Sequence, residues 1–261
     1  MAPMIELTPA QRAHAEAELR RRLSRCVPWN RKLQWAPELN IRADSYPTVN
    51  LFAEVQPAVR EVDQLREGEY VDSPGGRFRY ALRLHRRGMQ LETWWGAKLG
   101  SVLFDGDIEI PILFEREGGD PSRPWRRFPW MSLTPAELLT LRPGTKQARG
   151  KVVIAGLGLA HQLIEVGKRN AVDEIVVIER SHELCELIMP RAMAVLAQLG
   201  RTQVRVIVGD AFKVLPKLDA DVALVDVFPA YGDNRRVMAE LRKQCKGIAK
   251  LWDWGASDLL V

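Results

Sequence analysis

Two hydrophobic rhythms divide this chain of 261 residues. Residues 8–25 have helical spacing behind Thr8, Pro9 and Gln11, a capping box with proline at the first helical position. Arg20, Arg21, Arg22 and Arg25 gather at the far end of that helix. There they complement the negative end of the helix dipole, or offer an arm to an acidic partner. Residues 26–50, rich in Pro, Trp, Asn and Arg, predict an irregular packed segment. Residues 51–67 return to helical spacing through Leu51, Val55, Val59 and Val62 and predict a second helix. From 69 to 116 the runs 78–84, 89–95, 99–104 and 108–114 are of β type. Glycine-bearing breaks at 73–76, 87–88, 96 and 105–106 separate them, so the region predicts a small antiparallel meander. Asp105 and Gly106 read as a hairpin turn rather than part of a metal loop. Residues 117–130 are dense in Pro, Gly, Arg and Trp and predict a linker. A second capping box, Thr134 with Glu137 behind Pro135, heads a short helix that ends before Pro143 and Gly144.

From Lys151 the rhythm changes. Apolar runs at 151–155, 174–179, 203–208, 221–226 and 247–252 alternate with helical patterns at 159–169, 182–198 and 234–245. Strands buried on both sides and separated by helices predict a parallel sheet covered on both faces. The fold class is therefore α/β, a Rossmann-like doubly wound and mostly parallel sheet, with a smaller α+β N-terminal region. The division falls between residues 1–129 and 130–261.

In such a sheet the ligand lies beyond the carboxyl ends of the strands, and four of those ends carry chemistry. Gly156, Leu157, Gly158, Leu159 and Ala160 follow the first strand. Glycine allows a tight turn and a close ligand, and the next helix aims its free N–H groups there. Glu179 ends the second strand, 23 residues after Gly156, where a carboxylate can accept from two ribose hydroxyls. Asp210 and Ala211 follow the third strand, placed for an exocyclic amine. Asp226 ends the fourth, with Tyr231 five residues further on. The blander alternative makes these acids solvated loop starts or helix caps.

Composition narrows the picture only modestly. Apolar residues make up 46% and charged residues 27%, an ordinary globular balance. The longest apolar or glycine run, residues 152–160, is far short of a membrane span, and no secretory leader is expected. Three scattered cysteines, Cys26, Cys185 and Cys245, predict no disulfide framework or zinc site and suit the reducing cytoplasm. No metal is expected, because His14, His85, His161 and His182 share no ligand spacing. The net charge is +5; residues 1–150 hold 23 basic and 19 acidic side chains. Nucleic acid is compatible with that excess without being required by it, and a homo-oligomer stays open. Residues 123–130 interleave arginine with Trp125, Phe128 and Trp130, which suits either base stacking or tryptophans covering a sheet. Trp94 and Trp95 read as core or an interdomain contact. Trp252 and Trp254 are candidates for a pocket wall, and His161 for an exposed helix-start residue.

Residues from about 130 to 255 resemble the class I S-adenosylmethionine (SAM)-dependent methyltransferases, on the branch that also resembles spermidine synthases. The matching stretches are Val153 to Ala160, Ile178 with Glu179, Gly209 to Ala211, and Asp221 to Asp226. The lead-in Trp130, Met131 and Ser132 with Thr134 to Glu137 is similar to the helix before the SAM motif in uncharacterised bacterial and phage proteins. The resemblance implies that Gly156, Leu157, Gly158 and Ala160 pass along the methionine part of SAM. It gives Glu179 the ribose, Asp210 with Ala211 the adenine, and Asp226 the methyl donor and incoming acceptor. Asp226 and Tyr231 become the catalytic candidates. Ala160 replaces the usual third glycine, which suits helical backbone at that point. His161 stands where a dinucleotide fingerprint needs a small residue, so NAD is disfavoured. The stretch after Asp226 is not the Asp/Asn-Pro-Pro-Tyr signature of amino-group methylation on bases. Residues 151–261 accommodate five strands, a shortened methyltransferase sheet. Methyl transfer to an unknown acceptor, aminopropyl transfer, and non-catalytic SAM binding as a scaffold all fit it.

Overall fold

The computed structural model describes residues 7–47, 50–95, 98–201, 203–228 and 234–255. Helix α1 (Pro9–Leu23) carries both halves of the predicted capping box. Its basic end is tied by Arg22 to Glu38 at 2.8 Å. Among the described residues seven strands precede residue 133. Strands β1 (Glu38–Ile41), β5 (Lys98–Phe104) and β4 (Gln90–Trp95) form one sheet, with β1 parallel to β5. Strands β2 (Tyr70–Asp72), β3 (Phe78–His85), β6 (Ile108–Glu115) and β7 (Met131–Ser132) form another, in that spatial order.

The strands lie where the alternation predicts, but they do not form a meander. Strand β3 pairs with β6 along its whole length, from Phe78 opposite Glu115 to His85 opposite Ile108. The β4–β5 hairpin is folded out between them into the other sheet. Asp105 and Gly106 thus make a corner between sheets rather than a hairpin turn. The Asp105 carboxylate accepts from the Ala43 amide at 2.8 Å, and Asp107 accepts from the Arg87 amide at 2.7 Å. Most of β3 and β6 is buried, as are Ile41 of β1 and Val102, Leu103 and Phe104 of β5, whereas Trp94 in β4 is 59% exposed and is not core.

Residues 51–67 do not form the predicted helix; only Val62–Gln64 make one 3-10 turn. Pro57 disfavours helical backbone before it. Ala58 instead bonds to β3 through Ala58 N to Leu82 O and Leu84 N to Ala58 O, each 2.9 Å. The apolar residues of this segment still reach the core, with Leu51, Phe52, Val55, Ala58 and Val62 all buried.

Helix α2 (Pro135–Gln147) runs through Pro143 and Gly144 instead of stopping before them. The six-membered face of Trp252 lies where a side chain at residue 144 would stand, so glycine lets the helix seat on the sheet. Beyond it the alternation is as predicted. Strands β8 (Gly150–Ala155), β9 (Val172–Glu179), β10 (Val204–Val208), β11 (Ala220–Val225) and β12 (Ile248–Asp253) form a wholly parallel sheet. Its order, β10-β9-β8-β11-β12, is the doubly wound Rossmann order of five strands.

Alternate strand residues face two separate layers. Val152, Ile154, Val177 and Leu224 join α2, α3 (His161–Gly167) and α4 (His182–Gln198) in one core. Val153, Ala155, Val176 and Val225 face a smaller core with α5 (Ala211–Val214) and α6 (Arg235–Gln244). The first of these cores continues without a break into the N-terminal sheets through Leu133, Tyr80 and Phe104. Among the described residues no helix is long and apolar enough to cross a membrane.

Candidate functional site

Strand order reverses between β8 and β11, and this is where a doubly wound sheet opens a crevice at its carboxyl edge. The two strand ends are clamped there. Asp226 N donates to Ala155 O at 2.8 Å, and Gly156 N donates to Ile178 O at 2.9 Å. Gly156 has φ +98°, and a Cβ on it would lie 2.0 Å from the Asp226 carbonyl oxygen. Only glycine fits a left-handed turn pressed against another backbone. Gly158, at φ +50°, repeats the device: a Cβ there would stand 2.5 Å from the Met131 sulfur. That thioether also accepts from Leu159 N at 3.0 Å, so β7 touches the turn directly.

Ala160 closes the turn with φ +58°, the one non-glycine left-handed residue among the described residues. Its backbone is therefore not right-handed helix as expected, and the strain of about 1 kcal/mol is held by the helix that starts behind it. His161 is buried rather than exposed, 8% accessible, and its Nδ1 has no partner. Burial lowers its pKa to about 4. Gln162 is equally buried, with both amide atoms unpaired.

Glu179 is 6% exposed and bolted in place. One carboxylate oxygen accepts from Leu157 N at 3.0 Å and the other from Ser181 N at 2.8 Å. It thereby ties the glycine turn to the start of α4, and each oxygen keeps a lone pair for a ligand. Asp210 lies one strand further out and caps α5 by accepting from Phe212 N at 3.0 Å, with Ala211 buried behind it.

Asp226 is of a different kind. Among the described residues nothing donates to its carboxyl group, and burial raises its pKa to about 7. Glu137, in the first turn of α2, is raised well above the carboxylate range by burial and then by the charge of Asp226. Burial and, for Glu137, the neighbouring negative charge thus favour the neutral form of both carboxyls. Glu137 was hidden by the capping-box reading. Only half of that box exists: Glu137 N donates to Thr134 Oγ1 at 3.5 Å, while Thr134 N donates to Ser132 O. The side chain that should have turned back instead feels the charge of Asp226. Tyr231 lies outside the described residues.

Trp252 and Trp254 do not wall an open pocket. Both are buried beneath α2, and Trp254 Nε1 donates to Thr140 Oγ1 at 2.9 Å. Asp253 between them accepts from Asn234 Nδ2 at 2.8 Å and from Arg242. The structure thus brings Gly156, Leu157, Gly158, Ala160, Glu179 and Asp226 to one crevice, with Asp210 and Ala211 at its outer margin.

Similar solved structures include a SAM-dependent methyltransferase from Thiobacillus denitrificans in complex with S-adenosyl-L-homocysteine. It is 25% identical with a TM-score of 0.34, over 46% of this chain and 48% of that one. A methyltransferase from Geobacter sulfurreducens is 18% identical with a TM-score of 0.31, over 44% and 54%. Precorrin 8w decarboxylase from Methanobacterium thermoautotrophicum is 21% identical with a TM-score of 0.31, over 43% and 56%. The chain spans about half the length of these structures. No protein-family model and no curated protein matches it. The assignment of the sheet rests on its own strand order and register.

Proposed function

We propose that the crevice between β8 and β11 binds SAM and that the protein transfers its methyl group to an acceptor. One observation carries this reading. At the switch point a left-handed glycine turn, a buried carboxylate bonded to that turn and a carboxyl group with no donor among the described residues converge. The residues fit such a ligand. Glu179 retains acceptor capacity for a ribose, and Asp210 with the Ala211 amide stands one strand out for an adenine. SAM would bring a methyl group already activated on a sulfonium sulfur, which leaves the protein mainly the task of alignment.

The chain's own residues divide the remaining work. Glu179 fixes the turn and the start of α4 relative to each other. Asp226 orients the acceptor and takes its proton, and a base with a pKa near 7 is matched to that task. Glu137 keeps that proton close by, and Tyr231 is the second catalytic candidate. Residues 130–261 form the donor-binding part in this reading, and residues 1–129 recognise the acceptor.

Ligand-dependent thermal unfolding tests the assignment. A ligand at 100 times its dissociation constant adds about 2.7 kcal/mol. For this chain length that is roughly 5–10 °C. SAM and S-adenosylhomocysteine are expected to give such a shift and NAD none; no shift with either adenosyl ligand overturns the reading. The Glu137–Asp226 pair also favours a second reading, aminopropyl transfer to a cationic amine, which turnover with decarboxylated SAM and a diamine would reveal. Binding without turnover on any acceptor would leave a SAM-binding scaffold.

A further inference from the structure

The segment 123–130, which joins the N-terminal sheets to the glycine turn, splits into two parts of opposite character. Trp125 is structural: it is buried, with the Arg79 and Arg116 guanidiniums stacked on it at 4.6 and 4.0 Å. Phe128 is not, and Trp130 is only partly so, its ring lying 5.8 Å from that of the buried Phe78. Phe128 is 74% exposed and Trp130 43%. The backbone on either side is pinned to β6, with Arg126 N donating to Glu115 O at 3.1 Å and Trp130 N to Leu113 O at 2.8 Å. Residues 127–129 therefore arch outward from two fixed points and hold an aromatic ring in water.

The arch carries its own cations. The Arg127 guanidinium lies 5.7 Å from the Phe128 ring. Arg127 and Arg180 are exposed and have no ion pair among the described residues. Arg123 and Arg126 make only long contacts to Glu117 and Glu115, at 3.7 and 3.6 Å. The Arg123 pair is exposed on both sides and contributes little, and Arg126 shares the Glu115 carboxylate with Arg77, so one negative charge faces two cations.

The arch also has a fixed place relative to the crevice. Met131, next to Trp130, touches Gly158 and Leu159, so the Phe128 Cα lies within about 11 Å of the Met131 Cα. Arg180 directly follows Glu179. Exposed rings and an unpaired guanidinium thus lie within a few residues of the strand that touches the glycine turn, and Arg180 follows the acid bonded to that same turn.

We propose that these residues form a rim that binds single-stranded nucleic acid, with bases stacked on Phe128 and Trp130 and phosphates held by Arg127 and Arg180. Flat rings take the π-face of any base, and guanidiniums neutralise the backbone; a duplex hides the bases and offers no such fit. That a base then enters the crevice as the acceptor rests on the methyl-transfer reading above; binding to the rim does not.

Fluorescence anisotropy of the full chain with labelled 12-nucleotide RNA, DNA and duplex probes tests this. Either or both single strands are expected to bind more tightly than the duplex, with affinity falling as salt rises. Phe128→Ala and Trp130→Ala should each weaken binding by about fivefold to a hundredfold. Arg127→Gln should lower the slope of log affinity against log salt by about 0.7. S-adenosylhomocysteine shifts in the same variants should stay as in the wild type. Absence of single-strand binding, or binding untouched by the aromatic substitutions, overturns the rim whatever the adenosyl ligand does. Single-strand binding without any adenosyl ligand shift would keep the rim and discard the donor site.

Discussion

Two strand ends separated by a single strand carry carboxylates with opposite duties. At the end of β9, each Glu179 carboxylate oxygen accepts from a backbone amide of a different segment. At the end of β11, Asp226 has no donor among the described residues and keeps its proton into the neutral range. The first is architecture that leaves lone pairs to spare; the second is chemistry held back by burial. Gly156 lies between them, its N–H bonded to Ile178 before Glu179 and its α-carbon packed on the Asp226 carbonyl. Burial alone does not tell a functional acid from a structural one. The number of donors already aimed at it does.

The strongest way to break this contrast is to remove the turn itself. Gly156→Ala drives a methyl group into the Asp226 carbonyl oxygen and forces alanine to φ +98°. The expected loss is about 3–5 kcal/mol. Calorimetry should show it as a melting temperature lowered by roughly 10 °C or more.

Next comes the architectural acid. Glu179→Gln leaves one oxygen for two amide donors and turns an NH₂ towards the other. Urea unfolding should report a loss of about 2–3 kcal/mol. Adenosyl ligand binding should fall in the same variant.

The chemical acid should respond with the opposite sign. The folded protein holds a proton at Asp226 that the unfolded chain releases from about pH 4 upward, until the folded value of about 7 is reached. Its contribution to stability therefore falls as pH rises across that window. Asp226→Asn should flatten this slope and be more stable than the wild type above pH 7, while methyl transfer is lost. If Asp226→Asn destabilises at pH 8 as Glu179→Gln does, the distinction between the two acids fails.

His161 tilts the curve the other way. It is neutral in the fold down to about pH 4, whereas the unfolded chain takes up a proton below about 6.5. His161→Leu should reduce acid lability between those values, read from melting temperature against pH. The smallest effect is expected at Ala160, where glycine relieves the left-handed backbone. Ala160→Gly should raise stability by about 0.5–1 kcal/mol, or roughly 1–4 °C.

The parallel sheet was legible because each strand and helix declares itself within a dozen residues, and helix 182–198 falls where the pattern puts it. Pairing in the N-terminal sheets was not, because β3 and β6 are partners across a folded-out hairpin and local alternation is the same for any partner. The glycine turn and its acids could be read from spacing. Glu137 could not, since its pattern fits a helix cap equally well and only the position of Asp226 decides between them. His161 escaped for a related reason: a polar letter at a helix start looks exposed until α2 is laid across it.

The core that runs unbroken from the N-terminal sheets onto α4 has a consequence for how the chain is made. Strand β6 ends at Glu115, whereas α4 ends at Gln198. At about 5–20 residues per second, a ribosome needs roughly 4–16 s to add the residues between them. During that interval the ties from α4 to the early segments, Glu183 to Ser73 and the Arg77 amide and Arg191 to Glu54, do not yet exist. The early half of this protein is finished before the helix that docks on it has been synthesised.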